Sequence, residues 1–298
     1  MTTLPNSYWP SGKRCAVLIS VLFSDGRDAV AQAPDLPQRS KSFSVWQYGA
    51  LRGVDRLLQT FADFTIPASW FVPGLVAQQH TQLIRTIVAA NQQIASLGWD
   101  FEAYTTLDAA TTHNLLTQSK SVLEQVSGHA VQGFRLPSGR WPRRFDVALQ
   151  SAGYMWSASL NGDDMPYSHH SGLVEIPVHS ELDDRPYFQF NFTPAFPPGH
   201  SRLPAYDAVL SNWLLEFAAY RRYGGCFVLQ LHPEWMGTPG RNQLLRDFLH
   251  EITRHDDVWL ANGDAIAAWH ATHAQPLPAT HPLNVYEVYR QERGRHDD

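Results

Sequence analysis

Four short polar clusters stand directly behind apolar runs. Ser24, Asp25 and Gly26 follow residues 16–23. Gly98, Trp99, Asp100, Phe101 and Glu102 follow residues 93–97. Arg135, Ser138, Arg140 and Trp141 follow residues 131–134, and His232, Pro233, Glu234 and Trp235 follow residues 226–231. Together they offer an imidazole, guanidiniums and carboxylates, the groups of proton transfer and of oxyanion or carboxylate binding. Each cluster alone is a weak signal, since loops are polar by default and a lone His is more often structural than catalytic. Converging on one rim, they describe a pocket for acid–base chemistry.

The elements that would bring them together are legible as a rhythm. Strand candidates are residues 16–23, 68–72, 93–97, 131–135, 154–158, 173–178, 226–231 and 258–261. Several lack polar alternation, as strands buried on both faces do. Between them run helical stripes such as Leu51, Val54, Leu57, Leu58 and Phe61, and Leu244, Leu245, Phe248, Leu249 and Ile252. Strand and helix in turn predict an α/β fold with a parallel sheet, and seven or eight units in this length suit a barrel with its site at the C-terminal strand ends. Residues 1–270 read as one domain and 271–298 as a tail or arm. Residues 26–48 read as a long loop and the proline-rich 188–203 as a rigid excursion.

Composition narrows the class. The 298 residues carry a net charge of −5, and no Lys/Arg run exceeds two residues, which argues against nucleic acid and anionic membranes as partners. Ten tryptophans and 44% hydrophobic residues supply a large core. Cys15 and Cys226 sit in apolar runs, which predicts buried free thiols and a reducing compartment. The apolar run 16–23 is too short to span a bilayer, and no small-x-small cleavage motif follows it, so the expected location is the cytoplasm.

Motifs in order sharpen the reading: Tyr48, Gly49, Arg52, Gly53 and Val54; Ala68 to Gly74; Gly133 to Gly139; Gly162 to Tyr167; Glu181 to Asp184; His232, Pro233 and Glu234; Val258 and Trp259. Over roughly residues 13–270 the sequence resembles the polysaccharide deacetylase (NodB-homology) family. The match is closer to its intracellular branch of amide and cyclic-amide hydrolases, which takes in peptidoglycan-deacetylase-like proteins and allantoinases. The resemblance implies a distorted (β/α)7–8 barrel of the polysaccharide deacetylase type, commonly a homo-oligomer. It also implies amide hydrolysis assisted by a divalent metal held by one Asp and two His, with a second Asp as base and a late His as acid.

This chain departs from that pattern. Ser24 aligns with the base and Asp25 with the metal-ligating Asp; a one-residue shift is the alternative. The two ligand histidines align with Leu97 and Phe101, and the Asp of the fifth strand with Ser157. Leu and Phe offer no lone pair, and one carboxylate does not hold zinc where three protein ligands are the norm. No metal and no cofactor are expected. Rescue by His169, His170 or His179 is disfavoured, since adjacent histidines on a strand point to opposite faces.

Asp25, Arg135 and His232 are the expected catalytic residues. Asp25 orients or deprotonates water, Arg135 holds an oxyanion or substrate carboxylate, and His232 protonates the leaving nitrogen at a near-neutral pKa. Plainer readings stand beside these: Arg135 pairing with an acid such as Asp25, and His232 as a strand-end residue with one backbone hydrogen bond. Ser24, Trp99, Phe101, Glu102, Trp141 and Asp163 are the substrate-binding candidates. The pairs Asp163–Asp164 and Asp183–Asp184 otherwise read as solvated or capping acids. Two functions follow: a metal-independent hydrolase of an amide, cyclic imide or ureide, or a catalytically silent homologue that binds a small molecule or serves as a partner subunit. Conventional zinc deacetylation of a glycan ranks last.

Overall fold

The computed structural model describes residues 8–189 and 204–285. The first strand, β1 (Cys15–Leu22), is buried along its whole length and explains the architecture. Val17, Ile19 and Val21 pack into one core; Ala16, Leu18 and Leu22 pack into another on the opposite face. That two-residue period, apolar on both sides, is what a strand covered on both faces requires.

Around β1 the sheet continues through β2 (Ser69–Val72), β3 (Gln93–Ser96), β4 (Gly133–Phe134), β5 (Trp156–Ser157), β6 (Tyr167–Ser168), β7 (Val174–Glu175), β8 (Cys226–Leu231) and β9 (Val258–Leu260). The order is β6-β7-β5-β4-β3-β2-β1-β8, with β9 also paired to β1. All pairings are parallel except β6 with β7. The result is a curled half-barrel. Its two ends, β6 and β8, do not pair among the described residues. Near this opening an isolated parallel bridge joins Asp183 to Gln230 of β8.

The helices are α1 (Arg27–Gln32), α2 (Ser40–Tyr48), α3 (Val54–Phe64), α4 (Gly74–Gln79), α5 (Thr81–Ala89), α6 (Ala109–Ser127), α7 (Phe145–Ser151), α8 (Arg185–Phe188), α9 (Tyr206–Tyr223), α10 (Pro233–Met236), α11 (Pro239–Ile252) and α12 (Gly263–His273). The core between sheet and helices holds Trp70, Phe134, Trp213, Phe227 and Phe248. The second core lines the concave face with Phe71, Leu97, Phe101, Trp156 and Val228, joined by Ile266 and Ala267 of α12 and by Trp9.

Two expectations change. Residues 26–48 are not a loop: α1 and α2 fill them. Gly26 opens α1 in the left-handed region (φ 80°), and Trp46 of α2 is buried, packing edge-on against Trp235. A π-helical turn, Gly49–Gly53, then joins α2, which ends at Tyr48, to α3. The strands expected at 131–135, 154–158 and 173–178 keep only two paired residues each, and the short antiparallel β6 is additional. The boundary at 270/271 falls inside α12, and beyond it His281 packs against Tyr167 with ring centroids 4.8 Å apart. The expected excursion at 188–203 lies outside the described residues except for its first two, of which Phe188 is buried in α8.

Candidate functional site

Strand geometry decides where His232 points. In β8, Phe227, Leu229 and Leu231 face the helices while Cys226 and Val228 face the concave side. Alternation therefore sends His232, the next residue, inward. It is fully buried. Its Nδ1 lies 2.6 Å from Asp184 Oδ1, and its backbone amide donates to Asp184 Oδ2 at 2.8 Å. Its Nε2 lies 2.8 Å from Arg185 Nη2. A guanidinium has no acceptor, so Nε2 accepts and the ring proton resides on Nδ1, donated to Asp184. The imidazole is neutral: burial, reinforced by the Arg185 charge, pushes its pKa down to about 4. This differs from the near-neutral value expected of it, because no solvent reaches the ring.

The bridge between Asp183 and Gln230 carries Asp184 to this position. Asp184 N donates to Gln230 O at 3.0 Å, and the chain turns at once into α8, which presents Arg185. Arg185 Nη2 also reaches Asp28 Oδ2 at 3.3 Å, and Asp28 Oδ1 accepts from Ser24 Oγ at 2.7 Å. A continuous polar chain therefore runs Asp184, His232, Arg185, Asp28, Ser24. Glu234 is buried beside it, and burial and the Asp28 charge hold its carboxyl well above the ordinary range. Burial also raises Asp184.

Arg135 follows β4 and turns inward opposite Phe134. Only 4% of it is exposed. Nε donates to Ala158 O at 2.6 Å, and the guanidinium lies 4.6 Å over the Phe71 ring. Neither Nη atom has a hydrogen-bond partner among the described residues. Burial pulls its pKa down to about 10, against the charges of Asp183 and Glu175. Two unpaired donors on a buried cation are rare, and they mark a place where an oxygen acceptor fits.

The other expected residues scatter. Asp25 shares the rim, but its Oδ2 pairs with His80 Nε2 at 2.8 Å and not with Arg135; that contact raises the His80 pKa. None of Asp25, Arg135 and His232 bonds directly to another. Ser24 joins the polar chain through Asp28. Glu102 is used by its own loop, accepting from Trp99 N and Asp100 N at 2.8 Å each and from the Tyr104 hydroxyl. Trp99 packs over Gly74, and Phe101 (φ 61°) belongs to the concave core. Trp141 stacks on His169. Asp163 bonds Met165 N and lies 3.4 Å from His281, and the carbonyl of its neighbour Asp164 meets Cys226 N, at the end of β8 opposite His232.

Residue reasoning missed Asp28, His80, Glu175 and Arg185, and it read Asp184 as solvated or capping when it is fully buried against His232. Asp28 had a signal, the i,i+4 spacing from Ser24 into a helical first turn. Arg185 had none, since its partners come from distant segments.

Asp183, Asp184 and His232 place three potential ligand atoms within 4.8 Å of one another. The His232 Nδ1 proton is committed to Asp184, its Nε2 faces a guanidinium, and Arg135 adds a second cation nearby. Leu97 and Phe101, the positions expected in place of the ligand histidines, are buried hydrophobics. Ser157 Oγ bonds Ser159 Oγ at 2.8 Å. This donor set does not fit a zinc centre of the family's kind.

Comparison with known proteins agrees with the fold. A polysaccharide deacetylase homologue from Mycobacterium smegmatis is 33% identical, with 95% of this chain and 99% of that chain aligned and a TM-score of 0.84. An allantoinase structure aligns over 91% of this chain and 95% of its own at 21% identity and a TM-score of 0.76. The peptidoglycan deacetylase of Helicobacter pylori is 23% identical over 235 residues, 69% of this chain and 79% of its own. The sequence matches the polysaccharide deacetylase family directly over residues 43–156, and with near full-length likeness to the mycobacterial homologue, the chain belongs to that family.

Proposed function

We propose that this protein hydrolyses a non-peptide C–N bond in an amide, cyclic imide or ureide, without a metal. The observation that carries this reading is Arg135, a buried guanidinium with both Nη atoms unpaired on the concave face. There it donates to the substrate carbonyl oxygen, and the charge that develops on attack is held in a low-dielectric setting.

The Asp184–His232 pair supplies the proton transfer. A neutral imidazole with its proton on Nδ1 starts as a base, not as an acid. With Arg185 drawn off Nε2 by the entering substrate, that nitrogen takes a proton from the attacking water. Asp184 steadies the resulting cation. The C–O bond forms, the C–N bond breaks, and the same proton passes to the leaving nitrogen. Asp25, braced by His80, orients the water. A Lewis acid would have contributed several kcal/mol, so an activated substrate such as a strained cyclic imide suits the site better than an ordinary acetamide.

A second reading is favoured by one observation: Arg185 covers His232 Nε2, and the positions aligned with the ligand histidines are apolar. On that reading the protein is a catalytically silent homologue that binds a small molecule or serves as a partner subunit. A substrate panel separates the two. Hydantoins, dihydropyrimidines, allantoin, succinimides and N-acetylated amino sugars, the last included because relatives are peptidoglycan deacetylases, are assayed with excess chelator beside His232→Ala and Arg135→Gln. Chelator-resistant turnover is expected, falling about 100-fold or more in His232→Ala. Turnover only with added zinc overturns metal independence; no turnover on any member favours the silent homologue.

A further inference from the structure

A cleft of about 850 Å³ opens beside the rim, outside the site described above. Arg140, Arg143 and Arg144, from the segment after β4, line it together with His169 and His170 from the turn between β6 and β7. Asp146 is the single carboxylate of the lining among the described residues. Other arginines of this chain pair with carboxylates: Arg27 with Asp100, Arg221 with Asp257, Arg246 with Asp63. The three of the cleft are exposed and form no ion pair among the described residues.

The wall behind them is held in place. Trp141 lies parallel to the His169 ring, with centroids 5.4 Å apart and planes 8° apart. His169 is 5% exposed, and its Nε2 sits 3.2 Å from the buried carboxylate of Glu175. Glu175 is fixed in turn by the amides of Ser159 and Leu160 at 2.5 and 2.8 Å. In a chain of net charge −5, three unpaired guanidiniums around one concave surface concentrate positive charge against the overall balance. The planar guanidinium fork matches phosphate and carboxylate oxygens.

We propose that this cleft is a binding site for a small polyanion carrying at least two phosphate or carboxylate groups. The site stands whether or not the protein is a hydrolase. Binding is titrated by calorimetry with inorganic pyrophosphate and, in a second arm, with citrate, at low salt and again with added sodium chloride. Saturable binding by one probe is expected, and which probe binds names the anion class. The affinity falls about tenfold or more in the Arg140→Gln/Arg143→Gln/Arg144→Gln variant. The Arg85→Gln control, an exposed arginine on α5, binds as the parent does. All four side chains are exposed, so the variants fold. No saturable binding by either probe, or equal binding by the triple variant, overturns the proposal.

Discussion

At the scale of single residues, the defining feature is an imidazole kept neutral by its surroundings. Burial lowers His232 to about 4, and burial lowers His270 likewise to about 4. The ordinary value in an unfolded chain is about 6.5. Between those values the unfolded chain holds protons that the folded chain refuses. Their contribution to stability is therefore complete above about pH 6.5 and is lost as pH falls toward 4. Urea denaturation at pH 7 and pH 5 should show lower stability at pH 5, and His232→Gln should flatten that dependence even though it lowers stability at both. An unchanged slope would mean that His232 titrates normally in the folded state.

At the scale of elements, the position of His232 depends on how α10 meets the π-helical turn. Gly53 lies so close to Pro233 that an added Cβ would fall inside the carbonyl of that residue, and a Cβ on Gly237 would meet the Gly53 backbone. Neither glycine has a positive φ, so close approach and not backbone freedom selects them. Gly53→Ala must push α10, and with it the end of β8. We expect a loss of about 1–3 kcal/mol, read as a lower urea midpoint with unchanged slope. The same substitution at Gly128, which meets nothing within 4 Å but has φ 75°, tests backbone strain instead of packing.

At the scale of the molecule, the two faces of the sheet are separate compartments. Cys15 belongs to the core beneath the helices and Cys226 to the concave core, although they sit one register step apart on neighbouring strands. Their thiols point to opposite faces and do not meet. Burial raises both, Cys15 to about 12. Ellman's reagent should leave the native protein unmodified and titrate two thiols in denaturant; rapid reaction of the native protein would show that the fold opens locally at β1 or β8. No helix of the described residues is long and apolar enough to cross a membrane.

The sequence by itself determined the alternation of strand and helix, the runs buried on both faces, and the rim positions of Arg135 and His232. Those properties are local: periodicity and strand ends are written in consecutive residues. Tertiary structure alone decided which carboxylate meets His232. Asp184 lies 48 residues away along the chain and looked like any solvated turn acid until the bridge to Gln230 buried it. Only the fold placed Arg185 over Nε2 and left the Nη atoms of Arg135 unpaired. A polar residue carries no local mark of burial, and its protonation state follows from partners brought together across the whole chain.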